Sequence, residues 1–393
     1  MRKKAPLKKS IVIERFLSPY AKLLLESVQK LGGFCNAHAH LDRADTLLQE
    51  YLEHINTTPI EASFLPLAVK QNLTGDLHRG LAYTKDNLRE RMANTLNRLI
   101  DYGTTRLCTC IDVASDIGED GFLALRVALE LKEQFRDLIE IEIAPNPIFG
   151  FKEGTGRWEM FVEGAKMANF ISALPEKDDY LDPRERDGKI GFRNHLRRVI
   201  ELGCELKKEV HIHLDQANDP NEVGTETLIE GLRWLDQPQI SDHKGPAIWA
   251  IHSISPSGYS EERFGKLVDG LLELNIGIII CPTAAISMRQ LRPINAPVHN
   301  SIARMLELCK RGVPVMIGSD NICDVFVPQG DGDILTEIIM GGHALRFPVP
   351  YVWAKIGAGV PLNQVDRATI GRALYQDRKS FQNLDPSWVP AID

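Results

Sequence analysis

Pairs of histidines two residues apart occur in two strand-like segments of the sequence. His38 and His40 lie in the motif Asn-Ala-His-Ala-His-Leu-Asp, and His211 and His213 lie in Val-His-Ile-His-Leu-Asp-Gln. Residues two apart in an extended strand project to the same side, so each pair presents two imidazoles to one spot. Imidazole is a common ligand of divalent transition metals. Either pair alone is only a weak indication of a metal site.

Two further polar residues, His252 and Asp320, end later strand-like segments. In barrels of parallel strands the active site lies at the C-terminal ends of the strands. His213 is therefore the better ligand candidate of its pair. His211 lies one layer deeper, where a functional role and a hydrogen-bonded core role both stay open. Three imidazoles and one carboxylate around an open position are typical of a catalytic metal site, because a closed structural site leaves no place for water.

Short apolar runs alternate with helix-like segments along the chain, which is typical of parallel βα units. The predicted strands are 33–40, 105–113, 139–144, 167–174, 209–215, 247–253, 276–281 and 314–320. Apolar spacing of three and four predicts helices at 11–29, 88–102, 121–134, 194–206, 225–234, 261–274, 301–311, 334–346 and 362–375. The order favours an α/β fold of the (β/α)8 TIM barrel type, and a doubly wound sheet is the alternative.

A single barrel domain accounts for most of the length. We expect an N-terminal helical extension at 1–32, a metal-dependent hydrolase barrel at 33–376 and a C-terminal tail at 377–393. Barrels of this kind commonly exceed the usual size of one domain.

Composition restricts the partners and the location of the protein. The formal net charge of −7 argues against a nucleic-acid partner, because phosphate binding needs a basic surface. No apolar run approaches the ~20 residues of a membrane span. Seven scattered cysteines and an N-terminus without a signal-peptide pattern predict reduced thiols and a cytoplasmic location. We expect a small-molecule substrate, and apolar helix faces are compatible with a homo-oligomer.

Several of these stretches resemble the amidohydrolase superfamily and, within it, the cytosine deaminase-like branch. The resemblance covers 34–374. His-Ala-His-Leu-Asp at 38–42 resembles the first-strand metal motif, and Ala-Pro-Asn-Pro at 144–147 occupies the place of the third-strand turn that contacts substrate. The stretch 164–175 is similar to the fourth strand, and 318–326 resembles the eighth-strand aspartate with its following loop.

The resemblance implies a set of site residues. His38, His40, His213 and Asp320 would bind the metal, and His252 would lie close to the attacking water. Relatives with two metals often bridge them through a lysine in the fourth strand. The stretch 167–174 has no lysine, although Lys166 precedes it. One divalent ion per chain is therefore expected, with zinc or iron(II) as the candidates.

Three residues carry the expected substrate contacts. Gln216 stands where the deaminases have a glutamate that transfers a proton, and a glutamine amide cannot act as that acid. Asn146 stands where cytosine-specific members have glutamine. Gln216, Asn146 and Asn321 are expected to bind polar edges of the substrate. A further departure is architectural, because the usual small β-sandwich is expected to be reduced or absent, leaving a nearly bare barrel.

Catalysis would then rest on Asp320 as general base, on His252 to stabilise charge on the attacked centre and on Gln216 to orient the substrate. Asp215 could accept a hydrogen bond from a ligand or serve the structure alone. The first hypothesis is an aminohydrolase, or deaminase-like enzyme, acting on a non-peptide C–N bond of a small nitrogenous heterocycle. The alternatives are ring-opening of a cyclic amide or imide, and a non-catalytic barrel that binds a metal or metabolite.

Overall fold

The computed structural model describes residues 17–52, 56–179, 188–235, 240, 245–287 and 302–382. Within them the strands are β1 (Phe34–Ala39), β2 (Thr104–Asp112), β3 (Glu140–Asn146), β4 (Ile171–Ala173), β5 (Val210–Leu214), β6 (Ile248–His252), β7 (Ile276–Ile280) and β8 (Val315–Ile317). All strand pairs are parallel. The order is β1-β2-β3 in one sheet and β4-β5-β6-β7-β8 in the other, so the fold is mixed α/β with parallel sheets.

Helices follow the strands. The α-helices are α1 (Pro19–Lys30), α2 (Gln49–Leu52), α3 (Pro59–Ser63), α4 (Leu67–Arg79), α5 (Lys85–Asp101), α6 (Leu123–Phe135), α7 (Arg157–Met167), α8 (Phe192–Leu206), α9 (Gly224–Trp234), α10 (Glu261–Glu273), α11 (Pro282–Ser287), α12 (Met305–Arg311), α13 (Ile334–Ala344), α14 (Pro350–Gly357) and α15 (Gln364–Gln382). Short 3-10 helices follow β1, β4 and β6 at Leu41–Arg43, Pro175–Asp178 and Ser255–Gly258. None of the described helices is long and apolar enough to cross a membrane.

Backbone hydrogen bonds connect the two sheets at their edges. At one edge, Ala39 forms an isolated parallel bridge with Asp320. The Asp320 backbone N–H donates to the His38 carbonyl at 2.9 Å, and the His40 N–H donates to the Asp320 carbonyl at 3.3 Å. At the other edge, the Asn169 N–H donates to the Ile143 carbonyl at 2.7 Å. The first contact fixes the ends of β1 and β8 next to each other.

The strands are covered on both faces, which explains their apolar sequences. Every residue of β7 is buried, as is every residue of β5 and β6. Parallel strands with helices over them read as continuous runs of Val, Ile and Leu for this reason. The core extends to the last helices, where Trp353 of α14 is fully buried and its indole N–H donates to the Phe347 carbonyl at 2.6 Å.

All eight predicted strands are present, with ends that differ by a few residues. The exception is the predicted fourth strand, 167–174, which begins only at Ile171. Met167 is instead the last residue of α7, a helix that was not predicted. The helix extends to this point because Phe161, Gly164 and Ala165 are buried at a helical spacing. The helices between β1 and α5 were also missed.

The ends of the chain differ from the predictions in extent. The first predicted helix, 11–29, begins at Pro19, where the Ser18 side chain accepts from the Ala21 N–H; residues 11–16 lie outside the described residues. The predicted helix 301–311 begins at Met305, and 301 is also outside them. Helix α15 continues past the predicted end at 375 to Gln382, while 383–393 lie outside. The described part of the chain contains no strand beyond the eight.

Gly318 tests the contact between the ends of β1 and β8. A methyl group on Gly318 would lie 2.7 Å from both the backbone nitrogen and the carbonyl oxygen of His38. Gly318→Ala is therefore expected to lower the free energy of unfolding by roughly 1–3 kcal/mol, because backbone has to shift. Gly265→Ala in α10, where nothing lies within 4 Å, is the control and should stabilise by about 0.5–1 kcal/mol. Urea denaturation measures both, and a Gly318→Ala protein as stable as wild type would contradict the close approach.

Candidate metal centre

Four imidazoles and one carboxylate converge at the C-terminal ends of β1, β5, β6 and β8. His38 Nε2 lies 3.2 Å and His40 Nε2 lies 3.3 Å from the same oxygen, Asp320 Oδ1. His213 Nε2 is 3.2 Å from His38 Nε2, and His252 Nε2 is 4.0 Å from Asp320 Oδ2. All five side chains are buried. The structure thus brings together the five residues that the sequence singled out on four separate strands.

The ends of β1 and β8 are fastened to each other beside this cluster. The Asn36 amide donates to Ser319 Oγ at 2.8 Å, and the Ser319 N–H donates to Asn36 Oδ1 at 3.1 Å. Two of the site residues have left-handed backbones, with φ of 75° at His252 and 59° at Asp320. Such a backbone costs non-glycine residues of order 1–3 kcal/mol and persists where the surroundings enforce it. The local geometry is thus strained in order to aim these side chains.

The donor set fits a divalent metal ion. Both ring nitrogens of His252 are buried without a hydrogen-bond partner, as is Nδ1 of His40. His213 Nδ1 bonds the Ala173 carbonyl at 3.0 Å, which leaves its Nε2 lone pair facing the cluster, a common arrangement for a metal-binding histidine. Two groups have ligand atoms within 4.8 Å of one another: His38, His213 and His252, and His38, His40 and Asp320. A buried polar atom without a partner costs about 1–3 kcal/mol, and a bound ion would satisfy these nitrogens.

Electrostatics put Asp320, His40, His213 and His252 in the protonation state that binds metals, whereas His38 has to lose a proton to do so. Burial by itself would raise the pKa of Asp320, but hydrogen bonds with His38 and His40 hold it well below its usual range. Burial lowers the pKa of His40 to about 3 and that of His252 to about 4, and it holds the pKa of His213 well below its ordinary value. Against the effect of burial, hydrogen bonds with Asp320 and Cys110 raise the pKa of His38 to about 9. An ionised carboxylate and neutral imidazoles are the forms that bind metals.

His211 and Asp215, whose roles the sequence left open, have mainly structural surroundings. The ring of His211 packs on Phe170 with centroids 4.3 Å apart, and its Nε2 lies 3.5 Å from Glu209. The Asp215 carboxylate accepts from the Gly224 N–H at 2.7 Å and the Thr225 N–H at 2.9 Å. These N–H groups belong to the first turn of α9, where a carboxylate is favourable. Asp215 therefore fixes α9 to the end of β5.

The three predicted substrate-binding amides surround the cluster without hydrogen-bonding to it. The Asn146 amide donates to Asp112 Oδ1 at 2.7 Å, and the Asn321 amide donates to Asp324 Oδ2 at 2.5 Å. The Gln216 amide donates to Glu176 Oε2 at 2.7 Å. Each amide is thus oriented by a carboxyl group, and their substrate contacts stay predictions.

Sequence reasoning missed the acidic residues that orient these amides. Glu176 follows the short fourth strand, and Asp112 ends the second; a carboxylate directly after a strand was the available signal. Asp112 also lies 3.3 Å from His78 Nε2 and 3.8 Å from Arg43 Nε. Burial would raise the pKa of Asp112, but the Arg43 guanidinium and the His78 imidazole hold this pKa well below its usual range. A buried ion-pair network therefore supports Asn146.

Known proteins resemble this chain over most of its length. No protein-family model matches the sequence. An uncharacterized protein of Haemophilus influenzae is 26% identical over 277 residues, covering 70% of this chain and 90% of that protein. N-isopropylammelide isopropyl amidohydrolase of Pseudomonas sp. is 22% identical over 322 residues, covering 80% and 68%. The structure of 5-methylcytosine deaminase from Klebsiella pneumoniae superposes with a TM-score of 0.67 at 22% identity, covering 87% of this chain and 82% of the other.

The last two of these proteins are, by name, an amidohydrolase and a deaminase. The chain has the fold of the deaminase, and the resemblance to deaminase-like amidohydrolases that its motifs predict is confirmed.

Replacing Asp112 tests the network that supports Asn146. Asp112→Asn would remove the carboxylate beside the buried Arg43 and leave His78 with Asp116 alone, so it should lower the free energy of unfolding by about 3 kcal/mol at neutral pH. Because the folded-state pKa of Asp112 is depressed, this contribution is present above its unfolded pKa of about 3.9 and is lost as the pH falls. Urea denaturation at neutral and acid pH measures both effects.

The control is Asp120→Asn, because Asp120 pairs with Arg126 at the surface and exposed pairs contribute little. Equal stability of the two variants would show that the buried network has no energetic role.

Proposed function

We propose that this chain is a metal-dependent hydrolase that cleaves a non-peptide C–N bond of a small nitrogenous heterocycle by adding water. The observation that carries the proposal is the buried convergence of His38, His40, His213 and His252 on Asp320. A cluster of this kind is costly unless it binds a ligand, because buried polar groups need partners. The proposal is also supported by two relatives, one a deaminase of 5-methylcytosine and the other an amidohydrolase of N-isopropylammelide.

One divalent ion, zinc or iron(II), would be held by His38, His40, His213 and Asp320. Such an ion, when bound, lowers the pKa of water from ~15.7 to about 7 and so supplies a nucleophile at neutral pH. The lysine-free β4 supports a single ion, because Lys166 lies in α7 and its ammonium contacts Glu163 at 2.7 Å.

The site residues of the chain would each have a separate role in the reaction. Asp320, ionised and able to accept a proton, takes one from the attacking water and returns it to the leaving nitrogen. His252 has a neutral ring with unused hydrogen-bonding capacity, so it can stabilise the oxygen that develops on the attacked carbon. Gln216, Asn146 and Asn321 orient polar edges of the substrate.

Ring-opening of a cyclic amide or imide is the second candidate. The observation that favours it is Gln216, whose amide cannot protonate a ring nitrogen. Attack on a carbonyl needs less acid assistance at that position, because Asp320 alone can transfer the proton. The third candidate is a barrel that binds a metal or metabolite without turnover. The convergence of the site residues and the left-handed backbones of His252 and Asp320 argue against this candidate.

The architecture that we propose for this function is one (β/α)8 barrel at 33–376, with a helical extension before it and a tail after it. The backbone hydrogen bonds from Asp320 to β1 and from Asn169 to β3 support closure of the two sheets into one barrel. In a closed barrel the ends of all eight strands would surround the site. This architecture is compatible with a homo-oligomer.

Metal analysis tests the ligand set. His38→Ala and Asp320→Ala should each lose bound metal and hydrolytic activity, because each removes a ligand atom from the centre of the cluster. The exposed His343 provides the matched control, since His343→Ala should keep one ion per chain. Elemental analysis after dialysis gives the stoichiometry. Full metal content in His38→Ala, or two ions in the wild-type chain, would contradict the proposed site.

Product analysis separates the two enzymatic candidates. Metal-loaded protein is incubated with a panel of aminated heterocycles and of cyclic amides and imides. The aminohydrolase proposal predicts release of ammonia or an amine without a new carboxylate. The Asp320→Ala protein, prepared in parallel, reveals contaminating activity. Carboxylate formation without ammonia would replace the first candidate by the second, and no turnover of any panel member would overturn both.

A further inference from the structure

The proton balance of an aminohydrolase requires an acid in addition to Asp320. Water oxygen bonds to the ring carbon, one water proton passes to Asp320, and the electron pair of the C=N bond moves to the ring nitrogen, which must take a proton. The leaving nitrogen then accepts the proton from Asp320 and departs with the pair of the broken C–N bond. The ring nitrogen keeps its proton, and the hydroxyl group on the ring carbon loses its own proton as the C=O bond forms. Asp320 begins ionised, so the first proton on the ring nitrogen must come from another group.

Glu176 lies where such an acid could act. It belongs to the 3-10 helix Pro175–Asp178 directly after β4, and β4 pairs with β5, the strand that carries His213. The amide of Gln216, just beyond the end of β5, donates to Glu176 Oε2 at 2.7 Å. The other oxygen, Oε1, is buried and has no hydrogen-bond partner. Glu176 therefore has a free oxygen next to the position at which Gln216 cannot transfer a proton.

The charged groups that face Glu176 are Glu222 and Asp215, both acidic. The Glu222 carboxylate accepts from the Ala217 N–H at 3.0 Å, and that of Asp215 is fixed by the first turn of α9. Burial first, and then the negative charges of Glu222 and Asp215, raise the pKa of Glu176 well above its usual range. Glu176 therefore keeps its proton at neutral pH.

We propose that Glu176 is the acid that delivers the proton to the ring nitrogen of the substrate, and that Gln216 is the positioning residue that holds it. The inference rests on the proposed aminohydrolase function. It assigns the proton transfer to a residue at the end of β4. A carboxyl group at position 216 would act from the end of β5, the neighbouring strand. The carboxylate that remains on Glu176 accepts the hydroxyl proton when the C=O bond forms, which restores the acid.

Exchanging the two side chains tests this assignment. Glu176→Gln should reduce kcat by ~10²–10⁴, the usual contribution of a general acid, while metal content and melting temperature stay unchanged. The double variant Glu176→Gln/Gln216→Glu restores an acid–amide pair, with the acid now at the end of β5 instead of β4. Its kcat should be at least about ten-fold higher than that of Glu176→Gln. The substrate is the panel compound from which wild-type protein releases ammonia fastest.

The matched control is Glu222→Gln, which removes a half-buried acid whose hydrogen bonds are to the Ala217 N–H and the Ser255 hydroxyl and not to the Gln216 amide. It should change kcat by less than about ten-fold, below the contribution of a general acid. Because it removes a negative charge that raises the pKa of Glu176, it should also move the alkaline limb of the pH–rate profile to lower pH. A merely structural Glu176 would leave that limb in place.

Two outcomes overturn the inference. One is a Glu176→Gln protein with nearly wild-type kcat, and the other is a folded, metal-loaded double variant no faster than Glu176→Gln. If Glu176→Gln fails to fold or loses metal, the double variant alone decides. Wild-type protein that releases ammonia from no panel compound refutes the aminohydrolase function itself, which distinguishes that failure from an error in assigning the acid.

Discussion

The structure depends on one constraint, the burial of an ionised carboxylate among imidazoles at the point where β8 meets β1. Asp320 is the residue whose backbone bridges to β1 and whose side chain contacts His38 and His40. Fold and site therefore share one set of contacts. Moving Asp320 would break the hydrogen bonds between the sheets and its contacts with His38 and His40 at the same time.

The strands and the cluster of candidate ligands could be predicted from sequence because both depend on local pattern. Alternation in His-Ala-His places His38 and His40 on one side of β1 whatever the tertiary structure. A polar residue ending a buried apolar run, as at His252 and Asp320, marks the end of a strand. Parallel strands end on the same side, so separate motifs could be combined into one site. The resemblance to the deaminases added the division of roles among these residues.

What the sequence did not show depends on contacts between distant segments. Helix α7 was not predicted, and its last residue, Met167, was placed in the fourth strand because the apolar residues on either side of Asn169 were taken as one run. Glu176 and Asp112 were missed because a single acidic residue near the end of a strand does not indicate a function until the residue that it contacts is known. Only the structure places Glu176 against Gln216 and Asp112 against Asn146. These pairs decide how the two amide groups are oriented.

X-ray absorption spectroscopy of the metal-loaded wild-type protein tests the central claim most directly, because it reports the ligand atoms themselves. For zinc, the account predicts only nitrogen and oxygen ligands at about 2.0–2.2 Å, with the outer-atom scattering that several imidazoles produce. Cys110, whose sulfur lies 3.8 Å from His38 Nδ1, should not contribute. A sulfur ligand at about 2.3 Å, or a spectrum without imidazole scattering, would contradict the site described for this chain.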